Sequence, residues 1–171
     1  TQSEKQIVLV FEFCESDLAT FIAQFNGPVP LNTLSMYSRQ LFEALKYIHS
    51  FGIIHRDIKP QNLLLARTGE LKLSDFGLAR STNIPVDSLS TEVVTQWYRP
   101  PEILLEEEDY GFPVDVWSSG CVIAEMALGH PLFGCATNEE QIEAVCRLFG
   151  SEVLQEAFPD KEIPKIEKQR G

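Results

Sequence analysis

The feature that most restricts this chain is an apolar stripe in its first third. Leu34, Tyr37, Leu41, Leu45 and Ile48 recur at three- and four-residue steps, the spacing that lines one face of an α-helix. Gly52 follows the last of them, where a glycine closes a helix in a left-handed C-cap. Such a helix is held by tertiary packing of its apolar face, so it is expected to be the central helix of a core. The chain has 171 residues, 44% of them hydrophobic, which suffices for one well-filled core and predicts a single domain.

On either side of this helix the pattern is mixed. Ile7-Val8-Leu9-Val10-Phe11 is apolar and β-branched and predicts a buried strand. Asp17 is placed to cap a short helix over Leu18, Phe21, Ile22 and Phe25, which Gly27-Pro28 ends. Leu63-Leu64-Leu65 and Leu71-Lys72-Leu73, joined around Thr68-Gly69, predict a small β-hairpin. A loop with Pro85 follows. Pro113 then opens a helix whose stripe includes Trp117, Val122 and Met126 and which ends near Gly129, and Asn138 starts another that runs to about Leu148. The expected class is α+β: a mainly helical domain with a small hairpin, carrying its polar residues on loops. The acidic run Glu106-Glu107-Glu108-Asp109 is expected to be a solvated turn.

Charge and cysteine content narrow the ligands. A net charge of −11 opposes binding to a nucleic-acid backbone, which needs lysine and arginine concentrated on one face. Proteins and nucleotides are the better candidates. Cys14, Cys121, Cys135 and Cys146 show no CxxC spacing, and are expected to be reduced thiols rather than a zinc site or disulfides. The run Ile7 to Phe11 is too short to cross a bilayer, and Thr1 to Gln6 does not resemble a signal peptide. An intracellular protein, cytoplasmic or nuclear, with no membrane association is therefore expected.

The polar loops hold the informative residues. His55-Arg56-Asp57-Ile58-Lys59-Pro60-Gln61-Asn62, followed downstream by Asp75-Phe76-Gly77, resembles the signature set of protein kinases. The resemblance implies phosphoryl transfer from ATP. Asp57 would accept the substrate hydroxyl's hydrogen bond and its proton, and Lys59 would approach the γ-phosphate. Asn62 and Asp75 supply the hard oxygen ligands that Mg2+ prefers, and Gly77 is expected to let the backbone turn sharply behind Asp75. An isolated Asp or Asn in such a loop is more often a turn or helix cap; the assembled pattern favours catalysis. His55 is expected to be a core hydrogen-bonding residue, with His49 and His130 equally structural. For Arg56 two readings stand open: an ion pair with Asp57, or a grip on a phosphorylated loop.

Glu92-Val93-Val94-Thr95-Gln96-Trp97-Tyr98-Arg99-Pro100-Pro101-Glu102, Asp75-Phe76-Gly77-Leu78-Ala79-Arg80 and Asp115-Val116-Trp117-Ser118 are similar to segments of the cyclin-dependent kinases. By that resemblance Glu12 and Cys14 would offer backbone groups to adenine, Phe11 would be the gatekeeper, Asp17 would approach the ribose, and Leu64 would floor the pocket. Core packing is the plainer role for Phe11 and Leu64. Val94 and Arg99 would form the pocket for proline after the phosphorylated Ser or Thr, since proline has no N–H to satisfy. Ser90 stands where the family carries an activation-loop hydroxyl, whose phosphate would pair with Arg56 and Arg80. Trp97 and Asp115 are expected to support this arrangement structurally.

The sequence departs from the family pattern at Pro100, Ile58 and Gln96, none of which touches the proposed chemistry. The glycine-rich loop, the strand lysine, its helix glutamate, the cyclin-binding helix and the last helices are not found in it. The expectation is a partial kinase domain over 1–171, the hinge and C-terminal lobe with the N-terminal lobe largely absent. Its partners would be a cyclin-type subunit, docking mainly through the missing lobe, and Ser/Thr-Pro protein substrates. The alternative is a truncated, non-catalytic binding module or decoy.

Overall fold

The computed structural model describes residues 8–81, 96–107 and 109–166. Its axis is α2, Leu31–Ser50, which extends the predicted stripe by about a turn at its start. Tyr37, Leu41, Leu45 and Ile48 all face inward, and Leu41 is fully buried. Gly52 takes a left-handed φ of 71° and its N–H bonds the His49 carbonyl at 2.9 Å, so the expected glycine stop is present, with Phe51 as the C-cap itself.

One short helix precedes α2, and two small sheets pack against it. β1 (Ser16–Asp17), β3 (Leu63–Leu65) and β4 (Leu71–Leu73) form an antiparallel sheet in the order β1-β3-β4. β2 (Ile53–Ile54) pairs with β5 (Arg80–Ser81) in a second sheet. The predicted hairpin is therefore β3–β4, with Leu63 opposite Leu73 and Gly69 at a φ of 87° in the turn. α1 (Leu18–Ile22) is capped by Asp17, whose Oδ1 accepts the Thr20 N–H at 2.8 Å. It ends before Phe25, because the bonds of Gln24 and Phe25 reach back three residues instead of four. Phe25 still packs, its ring edge-to-face with Phe21 at 5.2 Å.

The remaining helices are α3 (Pro101–Leu104), α4 (Pro113–Leu128), α5 (Asn138–Phe149) and α6 (Ser151–Ala157). α4 packs beside α2 and buries Val114, Val122 and Met126, while Trp117 is only half-buried. It stops at Gly129, whose φ is 79°. A Cβ there would lie 2.5 Å from the Gly27 carbonyl carbon, and Val29 donates to the Met126 carbonyl at 2.8 Å. The loop before α2 is thus fastened against the end of α4.

One expectation fails in this region. Val8 to Phe11 is not a strand, and Phe11 is 81% exposed. A strand needs a hydrogen-bonded neighbour and a covering layer, and no strand among the described residues lies beside this segment. α6 and α3 were not foreseen, being too short to show a period.

The four cysteines are free thiols. Burial, helped by the Glu125 carboxylate, pushes the Cys121 thiol up to about 12, which makes it an inert core residue. No helix among the described residues is long and apolar enough to cross a membrane.

Candidate active site

The site begins where α2 and β2 deliver the chain to His55, opposite the stretch that leads into β5. Polar backbone here is taken out of water and needs partners. Asp115, in the first turn of α4 and fully buried, supplies them. Its Oδ2 accepts the His55 backbone N–H and the His49 Nε2–H, both at 2.8 Å, and its Oδ1 accepts the Arg56 N–H at 2.8 Å. Arg56 sits at a φ of 69°, a left-handed conformation costing a side-chain-bearing residue about 1–2 kcal/mol. The hydrogen bonds to Asp115 hold it there.

His55 joins the two halves of the site. Its Nε2 lies 2.9 Å from the Ser74 carbonyl oxygen, which can only accept, so Nε2 carries the proton. Nδ1 then accepts the Asp57 N–H at 3.3 Å. Burial lowers the imidazole's pKa, outweighing the attraction of Asp115, Asp57 and Asp75 for its cation, so the ring is neutral at neutral pH. The Phe76 ring packs edge-on against it at 4.9 Å.

Asp57 is held at both ends of a short loop. Lys59 Nζ is 2.9 Å from its Oδ2, and Pro60–Asn62 makes a single 3-10 turn that folds Asn62 back. The Asn62 Nδ2 donates to the Asp57 carbonyl oxygen and to Oδ2, each at 2.8 Å. Both amide hydrogens are thereby used, leaving Oδ1 as the group free to meet a donor or a cation. Asn62 in turn accepts the Ser74 N–H and hydroxyl on its backbone carbonyl, both at 2.9 Å. The hairpin therefore sets Asn62 and Ser74 opposite each other at its open end, one residue before Asp75.

Asp75 is exposed, with its own φ at 60°, and its Oδ1 accepts the Gly77 N–H at 3.2 Å. The sharp turn predicted at Gly77 is thus made by Asp75 itself. Gly77 is needed for a different reason: a Cβ on it would press against Asp75 Oδ1 at 3.1 Å. Arg56 forms no ion pair with Asp57. Its Nε donates to the Leu78 carbonyl and its Nη1 to the Tyr110 hydroxyl at 2.9 Å.

Asp57, Lys59, Asn62 and Arg56 are thus linked through one hydrogen-bonded network that passes by His55, Ser74 and Asp115, while Asp75 follows Ser74 in the chain and bonds only the Gly77 N–H among the described residues. Other predicted residues stand further off. Leu64 lies in β3 with Asp17 and Lys72 as its register partners, and Lys72 Nζ is 3.1 Å from Glu12. Both Asp17 carboxylate oxygens are taken by Thr20. Phe11 and Glu12 lie on the exposed segment and Cys14 is half-buried; among the described residues no backbone hydrogen bond engages 11–14. Arg80 in β5 pairs with Ile54, next to His55. Ser90 and Val94 lie outside the described residues.

Arg99 follows a 3-10 turn, Gln96–Tyr98, that is fastened from several sides. Trp97 Nε1 donates to the Cys135 carbonyl at 2.9 Å, and Gln141 Nε2 donates to the Trp97 carbonyl at 3.1 Å. The Ser118 hydroxyl donates to the Tyr98 carbonyl at 2.7 Å, and the Tyr98 hydroxyl to Glu125 Oε2 at 2.6 Å. Burial raises the pKa of both Tyr98 and Glu125. Glu125, Gln141 and Tyr110 were not anticipated from the sequence, and Ser118 only as the end of the Asp115-Val116-Trp117-Ser118 segment. The last had a faint signal, an aromatic ring ending an acidic run.

Among the described residues no three His, Cys, Asp or Glu side chains converge as a metal cage. Asn62 Oδ1 and the exposed Asp75 carboxylate are oxygen donors of the kind a divalent ion takes alongside phosphate and water. A family model, the protein kinase domain, matches residues 1–169. With nearly the whole chain matched, and with Asp57, Lys59, Asn62 and Asp75 assembled inside the match, this chain belongs to the protein kinase domain family.

Proposed function

We propose that this chain is the hinge and C-terminal lobe of a cyclin-dependent type, proline-directed serine/threonine kinase using MgATP. Family membership gives protein phosphotransfer with ATP and a divalent metal. The observation that supports the catalytic part of the proposal is the use of both Asn62 amide hydrogens on Asp57, which leaves Oδ1 one hairpin step from Asp75; the cyclin-dependent, proline-directed part rests on the sequence resemblance around Trp97 to Glu102. Asn62 and Asp75 would hold Mg2+, which neutralises phosphate charge when bound. Asp57 orients the substrate hydroxyl and takes its proton as the new O–P bond forms and the bond to the β–γ bridging oxygen breaks. Lys59, already beside Asp57, carries a positive charge to the transferring group.

The other parts follow the cyclin-dependent pattern. Free backbone groups at Glu12 and Cys14 suit adenine, with Phe11, Asp17 and Leu64 around it. Val94 and Arg99 would shape the site for proline, Ser90 phosphate would face Arg56 and Arg80, and a cyclin-type subunit would complete the enzyme. The protein would act inside the cell, in cytoplasm or nucleus.

The test is peptide phosphorylation by the full protein that carries this domain. Asp57→Asn should lower kcat by about 10²–10⁴-fold with little change in melting temperature. A variant within a few-fold of wild type removes Asp57 as the base. Equal rates on Ser-Pro and Ser-Ala peptides remove the proline-directed assignment.

A further inference from the structure

We infer that Tyr110 is a positioning residue for the catalytic loop, acting through Arg56. The inference rests on the phosphotransfer reading of Asp57 and Asp75. Arg56 sits in the strained left-handed region directly before Asp57, so whatever holds its side chain also limits how the loop moves. Two acceptors hold the guanidinium among the described residues: the Leu78 carbonyl, three residues past Asp75, and the Tyr110 hydroxyl at 2.9 Å.

Tyr110 lies on the stretch that leads into α4, five residues before Asp115. Asp115 grips the Arg56 backbone N–H, and Tyr110 grips the other end of the same residue. Arg56 is therefore fastened at its backbone by Asp115, at Nε by the turn carrying Asp75, and at Nη1 by Tyr110. A hydrogen bond from a charged donor is stronger and more directional than a neutral one, so this third point fixes the guanidinium plane and with it the Nε–Leu78 tie. Tyr110 has no hydrogen bond to Asp57, Lys59, Asn62 or Asp75 among the described residues. Its effect must pass through Arg56.

The experiment is Tyr110→Phe in the full protein, which removes one oxygen and keeps the ring. Expected is a fall in kcat of about tenfold, with KM for peptide and for ATP within about twofold and no matching loss of melting temperature. In an Arg56→Lys background the same substitution should change kcat by less than about twofold, because the group through which it acts is gone. An unchanged kcat in Tyr110→Phe, or an equal loss in both backgrounds, overturns the proposal. If wild type transfers no phosphate, the functional reading has failed separately. The positioning is then read from the Arg56 Nε–H resonance in 15N-labelled protein, whose slow exchange with water should speed up in Tyr110→Phe; unchanged exchange overturns it.

Discussion

Residues 55–62 include a histidine, an arginine, an aspartate, a lysine and an asparagine, yet His55 is fully buried and Asn62 nearly so. Residues 8–13 carry five large apolar side chains, and every one is more than two-thirds exposed, from Leu9 at 71% to Val10 at 91%. Hydropathy alone would place the two segments the other way round. The difference lies in partners. The buried polar groups of the first segment meet complementary groups from α4, from Ser74 and Leu78, or from one another, and a paired polar group can be buried at little net cost. The second segment pairs with no strand and has no packing layer over its apolar side chains among the described residues, its one tie to β4 being the Lys72–Glu12 ion pair, so its apolar atoms gain nothing. Both can be tested by removing the partner, or the residue, that the contrast depends on.

The largest effect is expected at Asp115. Asp115→Ala leaves the His49 Nε2–H, the His55 N–H and the Arg56 N–H without their acceptor in a site closed to water. Orphaning buried donors of this kind costs about 3–5 kcal/mol in total, since the three share one carboxylate and do not add fully. Urea denaturation of wild type and variant reads it directly. A loss under about 1 kcal/mol would break the contrast, because the buried polar loop would then not depend on its pairing.

That dependence also marks how far the sequence could be read. The helices α2 and α4 were legible because each shows an apolar stripe ended by a glycine, α5 from the Asn138 that opens it, and the hairpin because its two leucine-rich strands flank a glycine turn. Asp57, Lys59, Asn62 and Asp75 were legible because they lie close in sequence within a recognisable motif. The strand expected over Ile7–Phe11 is absent from its described part, Val8–Phe11, because an apolar β-branched run reports composition and not whether a neighbour exists to pair with. Tyr110 was missed because it reaches Arg56 across 54 positions, and no local pattern records such a contact. The turn was placed at Gly77 rather than Asp75 because glycine is the usual residue for a left-handed backbone, whereas here the missing Cβ makes room for a carboxylate oxygen.

A smaller effect is expected from pH. Unfolded, the His55 ring titrates near its ordinary value of 6.5; folded, burial lowers it. Between the two values the unfolded chain binds more protons, so this group's contribution is fully present above 6.5 and is lost as pH falls through the folded pKa. Protonation at Nδ1 would also remove the acceptor of the Asp57 N–H. The urea midpoint should therefore decline below pH 6.5, and the His55 ring signals should titrate below that value by NMR. Titration at or above 6.5 would show that water reaches the ring and that the polar segment is less buried than its geometry indicates.

The smallest effect is expected at the other pole of the contrast. Phe13 is 83% exposed, so its ring is already in contact with water and replacing it transfers little apolar surface. Phe13→Ser should change folding stability by no more than about 0.5 kcal/mol, whereas Leu41→Ala, at a fully buried position of α2, should cost about 2–5 kcal/mol although it deletes fewer atoms. The pair separates apolar content from apolar burial. Phe13→Ser should also lower self-association at high concentration, because it removes one of the five large exposed apolar side chains of residues 8–13. If it instead destabilises the protein by more than about 1 kcal/mol, Phe13 has a packing partner in solution, and the exposed segment and the paired loop at 55–62 then obey the same rule with different neighbours.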